Sequence, residues 1–164
     1  MAKKKMLFIY NPKAGKGQIK NNLSDIIDIF VKAGNEVTVY PTQYAGDAVR
    51  MAAEKSKKYD LLVCSGGDGT LDEVVTGIMQ SNKLVPVGYI PAGSTNDFAN
   101  SLGIPKNMKA AAETVVDGRL FACDIGAFND DTFVYIAAFG LFTDVSYETK
   151  QEYKNVLGHM AYIL

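Results

Sequence analysis

The densest chemistry in the chain is Ser65-Gly66-Gly67-Asp68-Gly69-Thr70. It lies between the apolar run Leu61-Leu62-Val63-Cys64 and a helically spaced Leu71, Val74, Val75 and Ile78. Three glycines at a strand-to-helix junction leave backbone N–H groups uncovered by any Cβ. An anion can then approach closely, and the dipole of the following helix favours it. Asp68 sits inside this loop, and an acid facing a phosphate repels it unless a cation, most simply Mg2+, lies between them. The stretch reads as a nucleotide-phosphate loop with a metal. Pro91-Ala92-Gly93-Ser94-Thr95-Asn96-Asp97 repeats the chemistry, with a glycine, hydroxyls and a carboxylate before a helical Phe98-Ala99. Asn11-Pro12-Lys13-Ala14-Gly15-Lys16-Gly17 is a third candidate for a phosphate or ribose. It lacks the Ser/Thr and the spacing of a P-loop, and a plain turn explains it as well.

The acids have competing readings. Asp68 and Asp97 both stand where helix caps and first-turn acids are common. The glycines and hydroxyls around them favour a binding site instead. Asp124 lies inside the apolar Ala122-Cys123-Asp124-Ile125-Gly126. In the middle of a strand its charge needs a metal or backbone N–H partners, and both remain open. Asp47, Asp72, Glu73 and Asp144 carry nothing that separates them from helix-surface charges.

These loops need a scaffold, and the hydrophobic pattern supplies one. Met6 to Tyr10 is an unbroken apolar run, as in a strand covered on both faces. Leu23, Ile26, Ile27, Phe30 and Val31 recur at helical spacing up to Gly34. Glu36 to Tyr40 alternates as a strand. After Thr42, Gly46-Asp47-Ala48 opens a helix to about Lys58, with Asp47 placed to cap it. Asp60–Cys64 and Val85–Ile90 read as strands, and Leu71 to about Gln80 and Met108–Val116 as helices. Strands alternating with helices predict a three-layer α/β domain, a parallel sheet with helices on both faces and right-handed crossovers. The segments Asn11–Gly17, Thr42–Gly46, Gly66–Thr70 and Gly93–Asp97 all follow strands. They should gather on the one sheet edge where ligands bind.

From Arg119 the rhythm changes. Leu120–Phe128 and Thr132–Phe139 are strand-like, and Asn129-Asp130-Asp131 between them is a tight-turn signal. This predicts an antiparallel hairpin opening a β-rich unit, with the boundary near residue 118. Tyr153 to Leu164 mixes helical periodicity with Gly158 and stops on Met-Ala-Tyr-Ile-Leu without a polar cap. We expect a truncated piece of a longer protein.

A chain of 164 residues buries about 70% of its extended surface and needs no disulfide staples. The net charge of −1 argues against broad electrostatic binding, so no nucleic-acid partner is expected. Lys3-Lys4-Lys5 reads as a solvated terminus or an anionic-lipid contact. Cys64 and Cys123, both in apolar runs, read as buried small hydrophobes in a reducing compartment. His159 is the only histidine and no metal-ligand spacing appears, so zinc is not expected. Asn11-Pro12 interrupts the first apolar run, and no signal peptide or transmembrane helix is readable. A cytoplasmic location is expected.

Three ordered motifs together resemble the diacylglycerol kinase catalytic domain family, which includes bacterial lipid kinases and the sphingosine and ceramide kinases. They are Asn11-Pro12-Lys13-Ala14-Gly15, Gly66-Gly67-Asp68-Gly69-Thr70 and Pro91 to Ala99. The glycine-rich loop alone is shared with NAD kinases. The Asn-Pro opening and Asn96-Asp97-Phe98-Ala99 narrow the resemblance to the lipid kinases, and Thr42 with Gly46-Asp47-Ala48 resembles the family's second nucleotide loop. The resemblance implies an ATP-dependent lipid kinase with an α/β ATP-binding domain, residues 1–118, and the truncated beginning of a β-sandwich domain, residues 119–164. It implies ATP and Mg2+, with Gly66, Gly67, Gly69 and Thr70 at the phosphates and Asn11 and Thr42 holding the nucleotide. Asp68 would act near the nucleotide and its Mg2+. Asp97 and Asp124 would join an acidic network near the acceptor hydroxyl, with Asp124 also near a second cation. A diacylglycerol-like substrate, and with it peripheral contact at the inner membrane face, is implied. The sequence sets no oligomeric state, and a homodimer is among the arrangements it allows. An NAD kinase-like enzyme and a non-catalytic nucleotide or lipid sensor are the alternatives. Ala14 stands where the family usually has serine, Asp72 where asparagine is usual and Ser94 where threonine is common. On this reading the isolated fragment would bind ATP weakly and turn over little lipid.

Overall fold

The computed structural model describes residues 3–128 and 131–134. Four strands form one parallel sheet, β1 (Lys5–Tyr10), β2 (Glu36–Pro41), β3 (Leu61–Gly66) and β4 (Val87–Pro91), in the order β2-β1-β3-β4. Helices α1 (Ile19–Lys32), α2 (Asp47–Lys55), α3 (Asp68–Gln80), α4 (Asp97–Ser101) and α5 (Met108–Asp117) connect or follow them. A 3-10 turn, Ser56–Lys58, extends α2 to the expected length.

The unbroken apolar runs of β1 and β3 reflect burial on both faces. Met6, Phe8, Tyr10 and Val63 face a core built with Ile26 and Phe30 of α1 and Ala111 and Ala112 of α5. Leu7, Ile9, Leu62 and Cys64 face the opposite core, with Ala48 and Ala52 of α2 and Leu71, Val74 and Ile78 of α3. The result is the expected three layers. In α1 the buried Ile19, Ile26 and Phe30 lie on one helical stripe, and Phe8 meets Phe30 edge to face at 5.7 Å. The fourth strand starts two residues later than its apolar run. Pro86 has no N–H for the ladder, and only its carbonyl joins, accepting from Leu62 N–H at 3.0 Å.

The end of the described chain departs from expectation. Only Gly126–Phe128 (β5) and Asp131–Phe133 (β6) are strands, and they pair antiparallel. The hairpin is present, but Leu120–Ile125 is not a strand. Asp124 is exposed there, so it is not the acid buried in mid-strand that the apolar run suggested. Cys123 is exposed too, while Cys64 is buried as expected. Leu120 and Phe121 are 85% and 69% exposed, which explains the misreading: the local run is apolar, but no described layer packs on it. The turn residues Asn129 and Asp130, the rest of the second strand run and the Tyr153–Leu164 segment lie outside the described residues.

Candidate functional site

Because all four strands run parallel, Asn11, Thr42, Gly67 and Ala92 leave the sheet at the same edge. The chain leaves β1 for α1 on one face and β3 for α3 on the other. Adjacent loops that diverge in this way open a crevice, the usual ligand position in such sheets. Asn11 and the glycine-rich loop flank it. Asn11 N–H donates to the Ser65 carbonyl at 2.9 Å, and its side-chain amide reaches Thr70 Oγ1 at 3.5 Å. Asn11 Oδ1 accepts from Lys13 N–H at 2.9 Å, closing a local turn. The Thr42 N–H donates to the Tyr10 carbonyl at 2.9 Å, which seats the second loop beside the first.

The floor of the crevice is backbone packed on backbone. Ala92 N–H and Gly93 N–H both donate to the Gly66 carbonyl, at 2.8 and 3.2 Å. A Cβ on Gly93 would lie 2.5 Å from Gly67 Cα, and one on Gly66 would lie 2.5 Å from Thr70 Oγ1. Gly15 has φ +52°, a region that favours glycine, and a Cβ there would run into the Ala92 carbonyl. Three loops are thus brought together by the absence of side chains. Gly69 differs. Among the described residues a Cβ there would meet nothing within 4 Å outside its own helix, so they give no steric reason for glycine at this position.

Helix α3 begins at Asp68, and its first N–H groups have no intrahelical partner. Thr70 N–H and Leu71 N–H turn back to the Gly67 carbonyl. The Asp68 carboxylate does not cap its own helix. Its two oxygens accept from Asp97 N–H at 2.9 Å and Phe98 N–H at 3.3 Å, capping α4 after β4. Asn96, at φ 54°, secures the same corner. Its side chain accepts from Gly93 N–H and donates to the Gly93 carbonyl, both at 2.8 Å. Tyr89, buried beneath, donates its hydroxyl to the Gly66 carbonyl at 3.1 Å, and burial pushes its pKa up.

Of the residues singled out in the sequence, Asn11, Thr42, Gly66, Gly67, Asp68, Gly69, Thr70 and Asp97 belong to these edge loops. Asp124 makes no hydrogen bond or ion pair to them. Among the described residues no three His, Cys, Asp or Glu side chains gather to hold a metal. The donor set still suits Mg2+, which takes one or two carboxylates and completes its shell with water and phosphate oxygens. Each Asp68 oxygen uses one lone pair on α4 and keeps another.

Three acids read as plain surface charges are structural. Asp47 is fully buried and accepts from Gln43 N–H at 2.9 Å, Tyr40 Oη at 3.0 Å and Arg50 Nη2 at 2.8 Å. Burial alone would raise its pKa, but these donors outweigh burial and hold the carboxyl below its ordinary value. It does not cap α2, whose N-terminus is capped instead by Glu73 of α3, accepting from Gly46 N–H at 3.1 Å and Ala48 N–H at 3.3 Å. Asp72 is half-buried and accepts from Val134 N–H at 2.9 Å. The signal available in the sequence was the acid-rich opening of α3, where Asp68, Asp72 and Glu73 fall within six residues of 68–73.

Residues 5–128 match the family model described as the diacylglycerol kinase catalytic domain. The chain is 39% identical over 163 residues to a diacylglycerol kinase of Staphylococcus saprophyticus, covering 99% of this chain and 53% of that protein. A diacylglycerol kinase of Bacillus subtilis is also 39% identical over 163 residues, with 98% and 54% covered. A crystal structure of a diacylglycerol kinase from Bacillus anthracis superposes with a TM-score of 0.75 at 33% identity, over 81% of this chain and 47% of that one. The chain spans about half the length of the curated relatives it matches.

Proposed function

The chain belongs to the diacylglycerol kinase catalytic domain family, and on that premise we propose that it forms the ATP side of a lipid kinase. The reaction is transfer of the γ-phosphoryl of ATP to a lipid hydroxyl, giving phosphatidic acid when the acceptor is diacylglycerol. The observation that carries this reading is Gly69. Glycine in a helix costs up to about 1 kcal/mol against alanine, and among the described residues no other part of the fold within 4 Å needs the space. The clearance over the first turn of α3 suits a group outside the chain, and the N–H groups of Asp68 and Gly69, ahead of the Thr70 and Leu71 bonds to Gly67, suit a phosphate together with the helix dipole.

Gly66, Gly67, Gly69 and Thr70 contact the phosphates, and Asn11 and Thr42 hold the nucleotide. Phosphoryl transfer needs alignment, charge neutralisation and an acceptor for the hydroxyl proton. The glycine loop supplies alignment. Mg2+, when bound, supplies neutralisation at Asp68, with Asp124 assigned to a further cation by family resemblance. Asp97 lies one N–H bond from Asp68 and is the candidate to orient the acceptor hydroxyl together with Asp124. Residues 1–118 form the nucleotide domain, and residues 119–164 begin a β domain that closes over the lipid.

Among the described residues no helix is long and apolar enough to cross a membrane. A lipid acceptor implies, on this reading, peripheral contact with the inner membrane face. The names of the relatives weigh against an NAD kinase-like acceptor. The natural gene product, given γ-labelled ATP and diacylglycerol vesicles, should place label in an organic-extractable lipid. The test variant is D68N, because the amide oxygen still accepts one α4 N–H while the charge is lost. It should transfer at least about 100-fold less label. Label in NADP, or nucleotide binding without transfer to any alcohol, would overturn the proposal.

A further inference from the structure

The β5–β6 hairpin meets the nucleotide domain along α3. Val134 N–H donates to Asp72 Oδ1 at 2.9 Å. The Thr76 and Thr132 hydroxyls pair at 2.8 Å, and Thr132 N–H reaches Thr76 Oγ1 at 3.4 Å. Asp72 and Thr76 are four apart on a helix, so they stand on one face about 6 Å apart along its axis. Thr132 and Val134 are two apart on an extended chain, so their N–H groups leave the same side about 6.6 Å apart. The two spacings match, and the order of the pairs makes β6 run antiparallel to α3. Among the described residues no strand pairs with the side of β6 away from β5, so backbone donors on that side need partners from another element. Two side chains of α3 satisfy that edge, and the Val134 side chain packs into the core that holds Leu71, Val74 and Ile78.

We infer that Asp72 and Thr76 are positioning residues: a two-point latch by which the phosphate-binding helix sets the place of the hairpin, and through it of the Asp124 segment. The connection from α5 is not what sets it. Gly118–Ile125 is irregular, and Leu120, Phe121, Cys123 and Asp124 are all exposed. The same helix carries Asp68 at its N-terminus, with Asp72 and Thr76 one and two turns behind it. Phosphate loop and hairpin are therefore referenced to one rigid element, as alignment of donor and acceptor requires. Asp72 accepts an N–H and is not assigned to touch substrate.

This inference rests on the kinase reading above, and the test separates the two. In the natural gene product, D72A and T76V should lower kcat for lipid phosphorylation by about 10- to 100-fold, the range expected for misplaced groups. KM for ATP should change less than about threefold, because the phosphate loop is untouched. D72N and T76S keep the acceptor oxygens and should restore most of kcat. Unchanged kcat in D72A and T76V would overturn the latch. So would a D72N as impaired as D72A, since charge rather than hydrogen bonding would then be at work. Amide exchange at Thr132 and Val134 gives a readout independent of turnover. It should be faster in D72A than in D72N even if the wild type phosphorylates no lipid, which would refute the kinase reading alone. Equal exchange in the two variants would refute the latch.

Discussion

Replacing Gly69 with alanine separates what the fold needs from what the ligand needs. Among the described residues the added methyl group would meet no atom within 4 Å beyond its chain neighbours and its own helix backbone, and Gly69 has no left-handed φ to lose. Alanine is the better helix former by up to about 1 kcal/mol, so the unliganded protein should keep or gain stability. At this size 1 kcal/mol is about 2–4 °C in Tm. The methyl group would stand over the first turn of α3, where the phosphates are proposed to sit. Losing one or two hydrogen bonds to a charged phosphate, at about 1.5–3 kcal/mol each, weakens binding by about 10- to 100-fold or more. The assay is thermal unfolding with and without Mg-ATP at about 100 times the wild-type Kd. Wild type should gain about 2.7 kcal/mol, whereas a 100-fold weaker variant should gain about 0.4 kcal/mol. G93A is the contrasting control. Its methyl would press on Gly67 Cα at 2.5 Å, backbone against backbone, and should cost about 1–3 kcal/mol without ligand. A G69A protein that is markedly destabilised, or that keeps the full nucleotide shift, would refute the reasoning.

Other expectations follow from the acids. D47N should destabilise by about 1–3 kcal/mol in denaturant melts, since it removes a charged acceptor from Arg50, Tyr40 and Gln43. Its folded pKa lies below the ordinary 3.8, so the ionised network stabilises above pH 3.8 and that contribution is lost as acid titrates through the lower folded value. Asp72 has the opposite sign. Burial first, and then the nearby Asp68 charge, raise its pKa above 3.8, against the Val134 bond that lowers it. Ionised Asp72 therefore costs stability as pH rises from 3.8 through the folded value. D72N should be the more stable protein at pH 7, with the difference vanishing below pH 3.8 in a Tm-against-pH series. E73A removes the acceptor for Gly46 and Ala48 N–H and should cost about 0.5–2 kcal/mol, the usual value of a helix cap. E73Q should recover part of it in the same melts.

The α/β class, the alternation of strands and helices along the chain and the four edge loops were legible because they rest on local patterns. Unbroken apolar runs mark strands covered twice, as in Met6–Tyr10, and glycine clusters after them mark backbone that must come close to something. The apolar run around Asp124 carries the same local mark, but the layer that would cover it is absent among the described residues, and Cys123 and Asp124 lie exposed. Pattern records what a segment could bury and not whether a neighbour arrives.

The candidate site divides along the same line. Residue type and spacing were enough to bring Gly66, Gly67, Asp68, Gly69, Thr70 and Asp97 forward as a phosphate and acid constellation. Only tertiary structure decided which N–H each acid serves. Asp68 caps a helix 29 residues on, Glu73 caps one 27 residues back, and Asp72 holds Val134, 62 residues away. A carboxylate in the first turns of a helix looks the same in sequence whether it faces water, its own N-terminus or another element. Its partner is set by how helices and hairpin pack on the sheet, and that packing is a property of the whole fold.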